Sequence, residues 1–319
     1  MKFAPRQAFA GDNGYRLLPL RFRRLPWDES RVLVTSMAGD WLIAQREEFE
    51  RVVEGRLDRA EPLFAEMEAR HLIAADPSHS TLAPLLSQYR TRKSYLEHGP
   101  ALHIFVVSLR CHHTCAYCQV SRQPVGNTIF DMSEATAAHA VERLFEWPSP
   151  TLTVEFQGGE PLLHFARVRA LVEAIEQRNR SEGRTLRFVI ASTLHDLTDE
   201  QLAFMRDHQF ELSTSLDGPE WLHNANRPRP ERDSYQRTVE GIERGRKVLG
   251  EDAVSALTTL TRRSLEAPRE IIDEYRKLGF RSISLRPLSP YGFARKTEGR
   301  IGYPMADFLQ FYEVALDHL

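Results

Sequence analysis

The sequence is poor in cysteine, and the few cysteines it has stand together. Its 319 residues contain three, all of them in the stretch CHHTCAYC that runs from Cys111 to Cys118. A disulfide framework needs cysteines in larger, even numbers, and disulfides are rare in reducing compartments. Three clustered cysteines in a chain of this length indicate a metal site or a catalytic role instead.

Long apolar runs and a strong charge of one sign are also missing. No apolar run approaches the roughly 18 residues that a membrane-spanning helix needs. The amino-terminal MKFAPRQAFAGDNGYR lacks the apolar stretch of a secretory signal. The formal net charge of −2 indicates neither a polybasic surface nor an acidic tail. We therefore expect a cytoplasmic protein that binds neither membranes nor nucleic acid.

The hydrophobic pattern changes near residue 101. Residues 1–73 predict a small α+β unit, and residues 74–100, rich in Ser, Pro, Thr and charge, predict a linker with a helical turn. From 101 to 319, strands alternate with helices, which indicates parallel strands joined by right-handed crossovers. Six such units are too few for a closed eightfold barrel, so the sequence predicts an α/β fold, a partial TIM-like (β/α)6 barrel. The predicted strands are 102–109, 152–156, 186–192, 210–216, 253–260 and 282–288.

The cysteine stretch directly follows the first predicted barrel strand, where loops of α/β barrels carry the chemistry. Three structural cysteines are one interpretation. Zinc is another, with His112 or His113 as the fourth ligand. A Cys-x-x-Cys redox pair would leave Cys111 unused. An iron–sulfur cluster held by three thiolates remains, and it would leave one iron open to a non-protein ligand.

Two more motifs close predicted strands. GGEP (158–161) follows the second strand, where glycines let a ligand approach the backbone closely. STSLDGP (213–219) ends the fourth strand and leads to HNANRP (223–228). Taken alone, the first is a turn before a helix, the second is an Asp-Gly turn, and Arg227 is a surface arginine.

Together these motifs resemble the radical S-adenosylmethionine (SAM) enzymes. The Cys-x3-Cys-x2-Cys spacing, with the aromatic Tyr117 before the last cysteine, is their signature. The resemblance implies a [4Fe–4S] cluster held by Cys111, Cys115 and Cys118. It also implies a SAM site, with the following cofactor-binding positions: Tyr117, Gly158, Gly159, Glu160, Ser192, Ser215, Asp217, Arg227 and Leu288. The activity it implies is cleavage of SAM to a 5′-deoxyadenosyl radical, which takes a hydrogen atom from the substrate.

Five segments extend the resemblance to one family, the B-type radical SAM maturase of the His-Xaa-Ser system. They are YRLLPLRF, ALHIFVVSLRCHHTCAYCQVSRQ, VEFQGGEPLL, STSLDGP with HNANRPRP, and RSISLRPLSPYGFA. This family is close to the anaerobic sulfatase maturases and other enzymes that modify ribosomally made peptides. The resemblance implies a small-protein substrate with His-Xaa-Ser repeats. It also implies a one-electron donor such as flavodoxin or ferredoxin, and a second radical SAM maturase as partner.

The sequence departs from this family in its cysteines. Relatives continue past the barrel with a cysteine-rich extension for auxiliary clusters, whereas here no fourth cysteine exists. We expect either a truncated form or an enzyme without auxiliary clusters. The alternative function is a truncated, non-catalytic protein that bears a cluster and binds a peptide as a scaffold. An electron carrier would need neither GGEP nor SLDGP.

The amino-terminal unit resembles the winged-helix element with which other maturases capture leader peptides. Peptide addition to a sheet edge would suit such a role. A structural cap over the barrel is an equal expectation for residues 1–73.

Overall fold

The computed structural model describes residues 14–75 and 79–319. The chain divides into two compact units, Met1–Glu97 and His98–Leu319. None of the helices in the described stretches combines the length and the apolar character that crossing a membrane would take.

The first unit contains a three-stranded antiparallel sheet in the order β2-β3-β4, and the two short strands β1 and β5 pair with each other. Its elements are β1 (Arg16–Leu17), β2 (Leu20–Leu25), β3 (Asp28–Ser36), β4 (Trp41–Gln45), α1 (Arg46–Val53), α2 (Pro62–Ala69), β5 (Ile73–Ala74) and α3 (His79–Lys93). In β4, Leu42 and Ala44 are buried while Trp41 and Ile43 are exposed, as expected of a strand with one face on a core. The other edge strand of this sheet is β2.

The sequence predicts a linker with one helical turn over residues 74–100, and the structure corrects this. Helix α3 occupies 15 of these residues, and a 3-10 turn from Ser94 to His98 follows it. Pro84 lies inside α3, where proline normally removes a backbone hydrogen bond. Serine and threonine are also weak helix formers, so the sequence of α3 does not indicate a helix.

The second unit contains a six-stranded sheet in the order β11-β10-β9-β8-β7-β6, and every neighbouring pair is parallel. Its strands are β6 (Leu102–Ser108), β7 (Thr151–Gly158), β8 (Thr185–Ala191), β9 (Glu211–Ser215), β10 (Val254–Thr259) and β11 (Ser284–Arg286). Its helices are α4 (Glu134–Phe145), α5 (Phe165–Glu182), α6 (Asp199–Asp207), α7 (Glu220–Asn226), α8 (Ser234–Leu249), α9 (Pro268–Lys277), α10 (Ala294–Ile301) and α11 (Met305–His318). The predicted α/β fold with a partial (β/α)6 barrel is confirmed. The last strand is shorter than predicted.

Aromatic packing fixes the middle of this sheet. The rings of Phe156, Phe188 and Phe210 stack with centroids 5.4 to 6.3 Å apart, and all three side chains are buried. Strand side chains alternate between faces, so Glu155 and Gln157 of β7 lie on the opposite face from Phe156. We call that opposite face the inner face, and its upper part leads into the cavity described next.

Candidate functional site

A cavity of about 250 Å³ lies at the carboxyl ends of the parallel strands. Its lining comes from the loop after β6, from the ends of β7 to β11 and from Arg227, so it collects residues that are far apart in sequence. The described lining residues are Cys111, His113, Cys115, Tyr117, Cys118, Gln119, Val120, Arg122, Glu155, Gln157, Gly158, Gly159, Ala191, Ser213, Ser215, Arg227, Leu257, Thr259 and Arg286. All three cysteines are therefore brought to one cavity.

The cysteine loop, residues 110–123, is held at its base and at its tip. At the base, the amide of Cys111 donates to the carbonyl of Gln123 over 3.0 Å, and the amide of Gln123 donates to Leu109 over 2.7 Å. At the tip, the amide of Thr114 donates to the carbonyl of Pro228 over 3.1 Å. The loop is thus positioned by backbone contacts that do not depend on the thiols.

The three thiols are free and partly buried. Burial raises the pKa of Cys111 to about 12 and also raises the pKa of Cys115. A thiol in such surroundings becomes a thiolate only when a cation compensates its charge, as metal coordination does. Within the described residues, no group of three or more His, Cys, Asp and Glu is arranged to hold one metal ion. Three free thiols on one loop, facing one cavity, are a donor set that fits an iron–sulfur cluster.

The two glycines of GGEP allow the end of β7 to approach the cysteine loop. Gly158 has φ +147°, and a Cβ there would lie 1.9 Å from the carbonyl oxygen of Ser108. A Cβ on Gly159 would lie 2.3 Å from the carbonyl oxygen of Arg110. The amide of Gly159 donates to Ser108 over 2.9 Å. The close approach of the protein's own backbone therefore requires glycine at both positions, whether or not a ligand also approaches them from the cavity.

Glu160 lies beneath the cavity and does not line it. It is fully buried, and its Oε1 accepts hydrogen bonds from Ser192 Oγ at 2.8 Å and from the amide of Leu162 at 3.0 Å. Its Oε2 accepts from the amide of Thr193 at 2.8 Å and from Thr193 Oγ1 at 2.7 Å. The carboxylate therefore ties the end of β7 to the end of β8, and Ser192 is one of its donors.

Tyr117 links Arg227 to Asp217 in a buried chain of hydrogen bonds. Arg227 Nη1 donates to the Tyr117 hydroxyl over 2.8 Å, and that hydroxyl donates to Asp217 Oδ2 over 2.7 Å. Burial raises the pKa of Asp217 more than the nearby Arg227 lowers it. Tyr117 and Arg227 line the cavity, whereas Asp217 lies behind them. Arg227 Nε is buried and has no partner among the described residues.

Of the two remaining predicted positions, one lines the cavity and the other does not. Ser215 lines the cavity. Leu288 does not, and its amide donates to the Tyr303 hydroxyl over 2.9 Å. Sequence reasoning missed several lining residues, because no local pattern distinguishes them from other residues of the strands and loops. They include Gln119, Arg122, Glu155, Gln157, Ser213, Thr259 and Arg286.

Sequence reasoning also missed a buried histidine cluster behind the cysteine loop. His113 Nε2 lies 2.8 Å and His223 Nε2 3.1 Å from the hydroxyl of Ser234, the first residue of α8. His195 Nε2 lies 3.1 Å from Thr238 Oγ1. Burial lowers the pKa of His195 to about 3 and holds the pKa of His223 well below its ordinary value, so both imidazoles are neutral. The cluster attaches the cysteine loop to α8.

Residues 105–275, more than half of the chain, match the sequence model of the Radical SAM superfamily. Among curated proteins, an uncharacterized protein of Methanothermobacter thermautotrophicus is 29% identical over 194 residues, which is 60% of this chain and 69% of that protein.

Solved structures of low sequence identity share the fold. Native anSMEcpe with bound AdoMet superposes with a TM-score of 0.58 at 19% identity, over 68% of this chain and 59% of that chain. Streptococcus suis SuiB bound to precursor peptide SuiA superposes with a TM-score of 0.52 at 15% identity, over 94% of this chain and 68% of that chain. This chain therefore spans well under two thirds of the length of anSMEcpe.

Proposed function

Because this chain belongs to the radical SAM superfamily, we propose that it is an enzyme that modifies a ribosomally made peptide or small protein. Enzymes of this superfamily use a [4Fe–4S] cluster and SAM. The observation that carries the proposal is the meeting of three free thiols with the GGEP glycines, Ser215 and Arg227 around one cavity. These are the residues that a cluster and the methionine part of SAM would need.

In this proposal, Cys111, Cys115 and Cys118 would hold the cluster. The backbone carbonyls of Gly158 and Gly159 would accept hydrogen bonds from the ammonium group of SAM, and Arg227 would donate to its carboxylate. The chemistry these cofactors supply when bound is one-electron cleavage of SAM, with removal of a hydrogen atom from the substrate by the resulting 5′-deoxyadenosyl radical.

The protein's own residues position and shield these groups. The backbone of the cysteine loop is held by hydrogen bonds at its base and at its tip, and these bonds do not involve a ligand. Arg227 is 7% exposed, lines the cavity and is oriented by the Tyr117 hydroxyl. A guanidinium in such a dry setting binds an anion more strongly than one in water does.

The substrate we propose is a small protein of the His-Xaa-Ser type. The support is the resemblance of five segments spread from the amino-terminal unit to the last barrel strand. The SuiB structure named above contains a precursor peptide, which makes a peptide a reasonable substrate class. A flavodoxin or ferredoxin would supply the electron, and a second radical SAM maturase would act on the same precursor.

We further propose that the amino-terminal unit captures the precursor's leader segment. Its sheet has free edges at β2 and β4 among the described residues, and a peptide strand can add to such an edge through backbone hydrogen bonds. Deleting residues 1–73 tests this. Precursor affinity should fall, and unchanged affinity would contradict capture.

The enzyme proposal is tested by anaerobic reconstitution followed by reduction in the presence of SAM. Wild-type protein should form 5′-deoxyadenosine, and Cys118→Ala should form none because a cluster ligand is lost. Co-expression with a precursor should shift the precursor's mass. A complete cluster with no 5′-deoxyadenosine would contradict the proposal, and it would favour the second candidate, a cluster-bearing scaffold.

A further inference from the structure

One side chain of the cavity carries a charge that the protein leaves without a cationic partner. Glu155 lies on the inner face of β7 and lines the same cavity as the three cysteines. Among the described residues that line this cavity, it carries the one carboxylate. The GGEP glycines follow it at the end of the same strand, so Glu155 lies deeper in the barrel than the residues proposed to hold SAM.

The neighbours of Glu155 do little to stabilise its charge. The strand register places Ile104 on one side and Val189 on the other, and both are apolar. Gln157 Nε2 donates to Glu155 Oε1 over 2.5 Å. In the part of the chain that the structure describes, no other side chain bonds to this carboxylate.

A second carboxylate on the same sheet shows the contrast. Glu211 pairs with Val189 in the register and forms an ion pair with Arg187, with Nη2 and Oε1 2.6 Å apart. Glu211 is therefore neutralised by the protein, and it does not line the cavity. Glu155 lines the cavity and has no such partner among the described residues.

Substrate binding changes the surroundings of Glu155. When a substrate enters the cavity it displaces water, and a carboxylate between two apolar neighbours then loses its hydration. A buried charge of this kind is tolerated only when it is paired and hydrogen-bonded. Arg122, Arg227 and Arg286 also line the cavity, but none of them forms an ion pair with Glu155 among the described residues, which leaves this carboxylate to a cationic group of the substrate.

We propose that Glu155 is a binding group for a positively charged nitrogen side chain of the substrate peptide, and that it selects the residue that enters the cavity. Protonated histidine, lysine or arginine has the required chemistry, because each offers N–H donors with a positive charge. The inference rests on the proposed function, and it deepens it by naming the substrate chemistry. A histidine of a His-Xaa-Ser repeat would satisfy it.

The test uses three dye-labelled peptides, acetyl-Gly-Ser-Xaa-Ser-Gly-amide with Xaa as Lys, Gln or Glu. Their affinities for the full chain, reconstituted and with SAM bound, are measured by fluorescence anisotropy under anaerobic conditions. Wild type should bind the Lys peptide about tenfold more tightly than the Gln peptide, the effect of one charge-assisted hydrogen bond. Glu155→Gln should abolish this preference, and Glu155→Lys should shift it to the Glu peptide.

Glu211→Gln is the matched control, since it removes a carboxylate from the same sheet without changing the cavity lining. It should retain the wild-type preference within about twofold, the ordinary scatter of a distant substitution. The proposal is overturned if wild type shows no preference for the Lys peptide or if Glu155→Gln retains that preference. It is also overturned if Glu155→Gln weakens SAM binding tenfold and leaves the peptide preference intact, because Glu155 would then act on SAM.

These outcomes are separate from a failure of the proposed function. The peptide preference is an equilibrium quantity and is read without turnover. Absence of 5′-deoxyadenosine from wild type would contradict the enzyme proposal, whereas the Lys, Gln and Glu peptides would still report on Glu155.

Discussion

Two carboxylates, Glu155 within β7 and Glu160 just after it, have opposite surroundings. Glu160 belongs to a motif, is fully buried, and accepts four hydrogen bonds from Leu162, Ser192 and Thr193. Glu155 belongs to no motif, lines the cavity, and accepts one hydrogen bond among the described residues. The comparison separates polar groups that the protein satisfies itself from polar groups that it leaves to a ligand. Substitution of the first kind should lower stability, and substitution of the second kind should change binding.

Replacing Glu160 is expected to have the largest effect on stability. Glu160→Ala removes the acceptor of four buried donors, and leaving such donors unpaired should lower the free energy of unfolding by about 3 kcal/mol or more. Glu155→Ala, within the preceding strand β7, is the control and should cost less than about 1 kcal/mol. Urea unfolding followed by circular dichroism measures both. Equal losses of unfolding free energy in the two variants would contradict the proposal that only Glu160 stabilises the fold.

The two glycines of GGEP extend the comparison from side chains to the backbone. Gly159→Ala would place a Cβ 2.3 Å from the carbonyl oxygen of Arg110, so β7 or the cysteine loop must move. We expect a loss of about 1–3 kcal/mol of stability together with reduced iron content after reconstitution. Gly126→Ala, in the segment that follows the loop, is the control because nothing lies within 4 Å of its Cβ. Full iron content in Gly159→Ala would show that the close approach is unnecessary.

The histidine cluster makes stability depend on pH. Burial holds the pKa of His195 near 3, below its unfolded value of about 6.5. Between these two pH values, His195 is protonated in the unfolded state and neutral in the folded state. The stabilisation is present above about pH 6.5 and is lost as the pH falls toward 3, at about 1.4 kcal/mol per pH unit. His195→Gln should reduce the slope of unfolding free energy between pH 6.5 and 5 by about this amount. An unchanged slope would mean that His195 titrates normally.

Ser215 is a polar residue that lines the cavity, and its substitution should have the smallest effect on stability. Its side chain lines the cavity, so Ser215→Ala should change the free energy of unfolding by no more than about 0.5 kcal/mol. SAM affinity, measured by equilibrium dialysis, should fall about fivefold to tenfold if the hydroxyl makes one hydrogen bond to SAM. Unchanged SAM affinity would remove Ser215 from the proposed site.

The fold was predictable because it follows from local patterns. Alternating strands and helices lead to one parallel sheet, and motifs at the ends of the first, second and fourth strands then meet at one edge. The resemblance carried by these motifs implied site roles for Cys111, Gly159 and Ser215, and all three line the cavity. Helix α3 was missed because it contains Pro84 and few residues that indicate a helix.

Contacts between distant residues were not predictable. His113 and Ser234 are 121 residues apart, and Arg227 and Tyr117 are 110 residues apart, so no local spacing indicates either pair. Glu155 lies in the interior of a strand, where sequence shows alternation but not whether a charge has a partner. A motif indicates where the backbone and a ligand come close. Whether a charged side chain in a cavity has a partner can be read only from the three-dimensional structure.

We propose that Cys111, Cys115 and Cys118 hold a cluster that also binds SAM. The most direct measurement is electron paramagnetic resonance of the anaerobically reconstituted and reduced protein, with and without SAM, together with its iron and sulfide content. We expect about four irons and four sulfides per chain, in keeping with a cubane cluster, and a signal that shifts when SAM is added. A signal that SAM leaves unchanged, or a full four-iron signal in Cys118→Ala, would contradict it.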